Sequence, residues 1–399
     1  MGKSSGNKRK TAAPHRLSWL GGLLFLCASI IPLGLLGTFA CVYLPPGRLG
    51  LGSLLGLAFP WLVLASAAIG LVYLFFFKKR CLIFFAAILL NFHNLGLLVR
   101  LPAHHGREDE APTGPATRPS EFKIMSYNVC LFGFYARQAD RNKLKDQIGT
   151  FLSVEAADIL CLQEYYESKD SRFRIRETLR KAGYRHHTAL LSNARYYFGN
   201  AIFSRYPIVR QDTVPGLSPL HALYADLLLP GGDTLRTYTF HLASLRFDEN
   251  DKALYHELLN RPLDESVSYK AEAGKIARKV GSAARVHAEQ VRLLKAHAAA
   301  CPYRLIICGD MNENPISYAY HALTDGLQDA FVERGSGLGR TYDGFFPAYR
   351  IDYIFYRDAI GRMPGKTDGK IAPRLSARYF EVSDVNYSDH KPIAAVMKF

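Results

Sequence analysis

Residues 304–312 read Arg304-Leu305-Ile306-Ile307-Cys308-Gly309-Asp310-Met311-Asn312. A short apolar run, Tyr303–Cys308, stops at a glycine and is followed at once by two polar residues two positions apart. Such a run, bounded by a turn former, predicts a β-strand with Asp310 and Asn312 just beyond its end. The pattern recurs on either side. Asn128 closes the β-rich run Lys123–Val129, Glu164 follows Asp158–Leu162, and His241 ends Leu235–His241. Asp352 lies in Ile351–Tyr356, and Asp389-His390 precede Lys391-Pro392-Ile393 near the C-terminus. Two further runs, Ala201–Phe203 and Ala222–Leu229, end without such a residue. Between them, Asn142–Ser153 and Tyr269–Ala300 have helical spacing. Strands mixed with helices, several of them adjacent strand pairs, predict an α/β layered sandwich with mixed sheets.

One acidic residue after a strand is ordinarily a loop or helix cap. The joint pattern carries the argument: four carboxylates, two asparagines and two histidines recur at strand ends within one domain. A hard cation such as Mg²⁺ or Mn²⁺ takes that kind of oxygen set. Phosphoryl transfer needs the cation, a base for water, and donors for the phosphate oxygens.

Six motifs then stand in order: Tyr127-Asn128, Leu162-Gln163-Glu164, Phe240-His241-Leu242, Gly309-Asp310-Met311-Asn312, Arg350-Ile351-Asp352-Tyr353 and Ser388-Asp389-His390. The series resembles that of the endonuclease/exonuclease/phosphatase superfamily, which includes pancreatic deoxyribonuclease, apurinic endonucleases, neutral sphingomyelinases and inositol polyphosphate 5-phosphatases. Gly199-Asn200-Ala201-Ile202-Phe203-Ser204-Arg205-Tyr206-Pro207 also resembles a strand and turn common there. The resemblance covers residues 122–399 and implies a four-layer α/β/β/α sandwich. It implies Glu164 as principal metal ligand, with Asn128 beside it on metal or phosphate and Asp389 at or near a metal or assisting the leaving oxygen. It implies Asp310 as the base for water, Asn312 as a brace for the water or a phosphate oxygen, and His390 as a donor held in its tautomer by Asp352. His241 contacts the phosphate or serves as general acid. For Asp352 a salt bridge with Arg350 is the alternative, and for the histidines a satisfied burial. Arg205 and Arg246 default to surface positions, and Tyr196-Tyr197-Phe198 to packing.

The first hundred residues are of another kind. A basic start, 1–16 with Lys8-Arg9-Lys10, precedes three apolar runs, about 17–44, 49–77 and 81–99, the second ending at Lys78-Lys79-Arg80. Each exceeds the roughly 18 residues that cross a bilayer, and the first is too long for a cleaved signal peptide. Asn91, His93 and Asn94 interrupt the third, where a polar interhelical contact is the simplest reading. Basic residues face the cytoplasm, so three spans place the domain outside: a multi-pass bacterial inner-membrane protein with a periplasmic catalytic domain, whereas a third run that lies only at the interface would leave the domain in the cytoplasm. Three such runs ahead of this domain resemble a membrane-bound branch of the superfamily found in Bacteroidetes. Residues 102–121, with four prolines, read as a linker.

The net charge of +15 divides between the two parts. Residues 1–121 hold 12 Lys/Arg against 4 Asp/Glu, a surplus of eight, which leaves seven for residues 122–399. That surplus fits an anionic substrate without the dense basic tract of a nucleic-acid binder. Seven irregularly spaced cysteines, with no C-x-x-C pair, predict neither a zinc site nor a disulfide framework. The expectation is hydrolysis of a phosphodiester or phosphomonoester, with a lipid head group at the bilayer as the first substrate class. A nuclease for extracytoplasmic nucleic acid is the alternative, and a silent membrane adaptor the third.

Overall fold

The computed structural model describes residues 15–47, 51–77, 79–101, 120–133, 137–167, 175–191, 198–218, 220–244, 269–343, 349–358 and 374–399. Most of the linker, the 248–268 insertion, Arg246 and Tyr196-Tyr197 lie outside them.

Two six-stranded sheets form the centre. The first has the order β11-β12-β1-β2-β4-β3, from β1 (Glu121–Asn128), β2 (Ile159–Tyr166), β3 (His186–Leu191), β4 (Phe198–Ser204), β11 (Ser376–Val382) and β12 (Ile393–Lys398). The second has the order β5-β6-β7-β8-β10-β9, from β5 (Ile208–Thr213), β6 (Ala222–Leu228), β7 (Thr234–His241), β8 (Arg304–Asp310), β9 (Gln328–Asp329) and β10 (Asp352–Arg357). Each sheet has one parallel pair at its centre, β1 with β2 and β7 with β8, and its other pairs are antiparallel. A parallel pair needs a crossover, and a helix supplies it in both cases: α6 (Gln138–Glu155) in the first sheet and α8 (Tyr269–Ala299) in the second.

Successive side chains alternate between faces, and the strands are apolar on both. Ile124 and Cys161 join Ile306, Cys308 and Ile354 in a core between the sheets. Met125, Tyr127, Leu160 and Leu162 pack outward with Ile148, Leu152, Ile175 and Leu179, which belong to α6 and α7 (Ile175–Lys181). Leu305, Ile307 and Tyr353 pack outward against Val291 and Leu294 of α8 and Ala319 and Leu323 of α9 (Tyr318–Thr324). The result is the expected α/β/β/α sandwich. A short helix, α10 (Ala330–Arg334), follows β9.

The N-terminal region differs from expectation in one respect. Two helical stretches are long and apolar enough to cross a bilayer, Gly21–Cys41 and Gly52–Phe76. They fall within α1 (His15–Ala28) with α2 (Ile30–Cys41), and α3 (Leu51–Phe77). The third run, 81–99, is not a spanning helix: it breaks at Asn91 into α4 (Leu82–Leu90) and α5 (Phe92–Leu98). The break has a local cause. Asn91 turns its amide to the carbonyls of Leu35 in α2 and Ala87 in α4, both at 3.0 Å, and accepts from Asn94. Of 28 exposed large apolar side chains among the described residues, 22 precede residue 102.

These helices share a core with the sandwich. Leu35, Val42, Phe59, Ala87, Leu97 and Leu98 belong to the cluster that contains Val291, Ile316 and Tyr353. Arg350 is fully buried, pairs with Asp329 at 2.7 Å and donates to Leu97 O at 3.0 Å. Removing one partner of such a buried pair costs about 3–5 kcal/mol, so the join between α5 and the sheet is specific.

Candidate active site

Topology gathers the polar strand ends. Parallel neighbours end at the same edge, so Asn128 and Glu164 finish one sheet and His241 and Asp310 the other. The antiparallel β10 starts where β8 stops, with Asp352 opposite Asp310 in register. β12 runs antiparallel to β1 and pairs Ile393 with Ser126, so the residues just before β12 arrive beside Asn128. The Ser388 hydroxyl donates to Asn128 O at 2.9 Å.

The centre of the cluster is the buried Asp310 carboxylate. Its Oδ2 accepts from Asn128 Nδ2 at 3.1 Å, with His241 Nε2 at 3.5 Å and His390 Nε2 at 3.6 Å. Its Oδ1 accepts from the Asn312 backbone N–H at 2.8 Å. Glu164, partly open to solvent, accepts from Asn128 Nδ2 at 3.3 Å and stands 3.9 Å from His241 Nε2. Asn312 sits beside the cluster, but its side-chain amide donates to Leu242 O at 3.0 Å. Asp389 is exposed and accepts from the Ser388 hydroxyl at 3.2 Å. It belongs to the rim, outside the compact group of Asp310, Asp352 and His390. Burial first, and then the nearby Asp389 and Glu164 carboxylates, push the Cys130 thiol upward.

Backbone geometry is unusual here. Among the described residues six non-glycine positions have positive φ, and five of them, Cys130, Leu131, Phe132, Glu164 and Asn312, lie at or next to this edge. Such conformations cost of order 1–3 kcal/mol each and persist where surrounding structure imposes them. Gly309 has a steric cause: a Cβ there would stand 1.9 Å from Phe240 O, so β7 and β8 approach only because the residue before Asp310 has no side chain.

His390 and Asp352 form a buried pair, Nδ1 to Oδ2 at 2.9 Å. A further strap positions them. Segment 341–343 pairs with 389–391, and Thr341 Oγ1 accepts the backbone N–H groups of Ile351 and Asp352. Burial by itself discourages the imidazolium; the Asp352 carboxylate, with Asp310 behind it, outweighs burial and raises His390 to about 10. Burial also pushes Asp352 up, against the pull of His390. The shared proton stays on the imidazole, the more basic partner. Arg350, the alternative partner for Asp352, pairs with Asp329 instead.

The donor set fits a divalent cation. Among the described residues no Lys or Arg pairs with Glu164, Asp310, Asp352 or Asp389. Asp352 Oδ1 is buried without a hydrogen-bond partner. Several carboxylates beside a single His390 imidazolium leave an excess of negative charge, the environment a hard metal ion occupies.

The sequence assigns no role to several supporting residues. Gln163 reaches across the two sheets to the Thr239 hydroxyl at 2.9 Å. His287, fully buried on α8, presents Nδ1 to Glu313 at 2.9 Å and Nε2 to Ala243 O at 2.5 Å. Both neighbours are acceptors, so both nitrogens carry protons; burial opposes this charge, and Glu313 more than offsets it, raising the histidine. Its two contacts tie the segments that follow His241 and Asn312. Arg205 is structural, donating to Ala157 O and Ala182 O. All seven cysteines are free.

The sequence profile of the Endonuclease/Exonuclease/phosphatase family matches residues 125–390, and that of a domain of unknown function matches residues 21–97. No curated protein matches the chain in sequence. Among solved structures, a family protein from Bacteroides thetaiotaomicron is 16% identical, covering 71% of this chain and 99% of its own, with a TM-score of 0.48. The human Nocturnin catalytic domain with bound sulfate anion is 17% identical over 71% and 95%, TM-score 0.46. The 3′ phosphatase NExo (D146N) from Neisseria, bound to product DNA hairpin, is 17% identical over 69% and 98%, TM-score 0.44.

Proposed function

Because the chain belongs to the endonuclease/exonuclease/phosphatase family and is a hydrolase of phosphate ester bonds, we propose that it is a membrane-anchored, divalent-metal-dependent enzyme whose chemistry centres on Asp310. The observation that carries this reading is the convergence of Asn128, His241 and His390 on one buried carboxylate oxygen, inside an acidic cluster that no Lys or Arg among the described residues balances.

The roles follow from the contacts. Asp310 accepts the proton of the attacking water, since its carboxylate is already the acceptor of the cluster. Its Oδ1 is held by the Asn312 N–H, and Oδ2, on which Asn128, His241 and His390 converge, faces the reacting centre. His390 donates its Nδ1–H to Asp352 and offers Nε2–H to a phosphate oxygen as charge develops. His241 touches the phosphate or protonates the leaving oxygen from the other side of Asp310. Asn128 and Asn312 fix oxygens beside it. Glu164, with Asn128 and Asp389, would hold Mg²⁺ or Mn²⁺, which would supply charge neutralisation to the phosphoryl oxygens.

The substrate is a phosphodiester or phosphomonoester at a bilayer surface, in the first instance a lipid head group. The exposed apolar flanks of α1–α4 support the anchor. The helix bundle has two distinct ends. At one, Arg80 donates to Gly21 O and lies 4.9 Å over the Phe25 ring. At the other, Tyr43 lies against His321 and Arg100 pairs with Gly337 of the domain. α4 and α5 carry the chain back between these ends. With the basic end in the cytoplasm, the domain faces outward, in a bacterium the periplasm.

A substrate panel on the intact chain with Mg²⁺ or Mn²⁺ tests this reading. Sphingomyelin-type lipids and phosphoinositides in vesicles should turn over at least tenfold faster than single- or double-stranded DNA and RNA. The reverse order, with rates falling steeply as salt rises, would assign a nuclease instead.

A further inference from the structure

Helix α3 contains a proline, Pro60, inside its length. Proline has no N–H, so the carbonyl four residues earlier, that of Gly56, loses its partner within the helix. In apolar surroundings an unpaired carbonyl is costly, and the chain supplies a donor from 258 residues away. Asn314 Nδ2 donates to Gly56 O at 3.0 Å, and Asn314 is itself 2% exposed. The fit is steric as well. A Cβ on Gly56 would stand 2.1 Å from Ile316 O, so only glycine lets that loop reach the helix. The next carbonyl, Leu57 O, accepts the Tyr349 hydroxyl.

Both bonds land on the segments that carry the site's carboxylates. Asn314 lies two residues after Asn312 and four after Asp310, and Tyr349 three before Asp352. The two segments are also joined directly: the Tyr353 hydroxyl donates to Glu313 O at 2.9 Å. We propose that the Gly56–Pro60 notch of α3 is a positioning element of the active site, holding loop 311–316 and thereby Asp310 and Asn312 where they act. The anchor is then part of the catalytic scaffold as well as a tether. This inference rests on the reading that Asp310 belongs to the catalytic machinery.

The test uses the full chain in detergent, with bis(p-nitrophenyl) phosphate and Mn²⁺ as the probe. Gly56→Leu introduces the clash, and the milder Asn314→Ala removes the donor to Gly56 O together with the Oδ1 that accepts from Ile316 N–H. Each should lower kcat about tenfold or more while KM stays within about twofold, the signature of lost positioning rather than lost binding. The double variant should be no worse than Gly56→Leu alone, because both break one contact. Gly70→Leu, which disturbs the far end of the same helix against Phe84, should leave kcat unchanged. Hydrogen exchange gives a readout independent of turnover: amides of 311–317 should exchange faster in Gly56→Leu and those of 159–166 should not. Unchanged exchange in 311–317 overturns the proposal, as does faster exchange with kcat unaltered, or additivity in the double variant. Asp310→Ala that keeps wild-type turnover would instead overturn the functional reading, and the exchange result would still decide whether the notch holds the loop.

Discussion

Replacing Asp310 by Ala should lower kcat for phosphate ester hydrolysis on the order of 10³-fold or more, with the fold retained. A positioned base contributes about 10²–10⁴, and Asp310 also organises Asn128, His241, His390 and the Asn312 amide. The fold should survive because the substitution takes a buried negative charge out of a cluster that includes Asp352 and Glu164, and so relieves repulsion. His390→Ala should fall in the same range. Asp352→Asn separates the pair from its members. The Asp352 charge raises His390, so removing it lowers the histidine's pKa. If the protonated ring is the donor, activity is present below that pKa and lost above it. The alkaline limb of the rate profile should therefore move to lower pH in Asp352→Asn. Kinetics across pH 5–10, with near-ultraviolet circular dichroism as the control on folding, checks all three. Asp310→Ala at wild-type kcat would remove the basis of the mechanism.

Glu164→Gln should act on metal dependence rather than on the pH profile. Groups that merely support a metal ligand cost 10–100-fold in affinity when replaced, so loss of the principal carboxylate should reach or exceed the top of that range. The Mn²⁺ concentration for half-maximal activity should rise about 10²-fold, with activity partly recovered at saturating metal. Asn128→Ala should shift the same midpoint less, since its amide already donates to Glu164 and Asp310 and only its carbonyl oxygen could serve a cation. A Glu164→Gln midpoint equal to that of the wild type would move the metal elsewhere, with the exposed Asp389 the next position to replace.

What could be read in the sequence, and what could not, has a physical basis. Strands such as Ile306-Ile307-Cys308 are apolar on both faces because both are covered, and that continuous signal also marks their ends, where the polar residues stand out. Edge strands lack it. β5, Ile-Val-Arg-Gln-Asp-Thr, is mostly exposed, and β3 is only partly buried, so neither was expected. The strap through Thr341 depends on antiparallel pairing of 341–343 with 389–391, which no local pattern encodes. The break at Asn91 shows the limit of hydropathy. Residues 81–99 are apolar enough overall, yet one side chain bonded to Leu35 O ends the helix. Contacts between distant segments, Asn314 with Gly56 or Arg350 with Asp329 and Leu97, appear only once the chain is folded. In hindsight Pro60 was a visible cue, since a proline inside an apolar helix always leaves a carbonyl to be satisfied.

The most direct test of the account is the initial rate of hydrolysis of a simple phosphate diester by the intact chain, stripped of metal by a chelator and then titrated with Mn²⁺. The account predicts no turnover in the stripped protein and saturable recovery as Mn²⁺ is added, with recovery absent in Asp310→Ala. A rate that survives chelation, or that Mn²⁺ restores equally in Asp310→Ala, would contradict it.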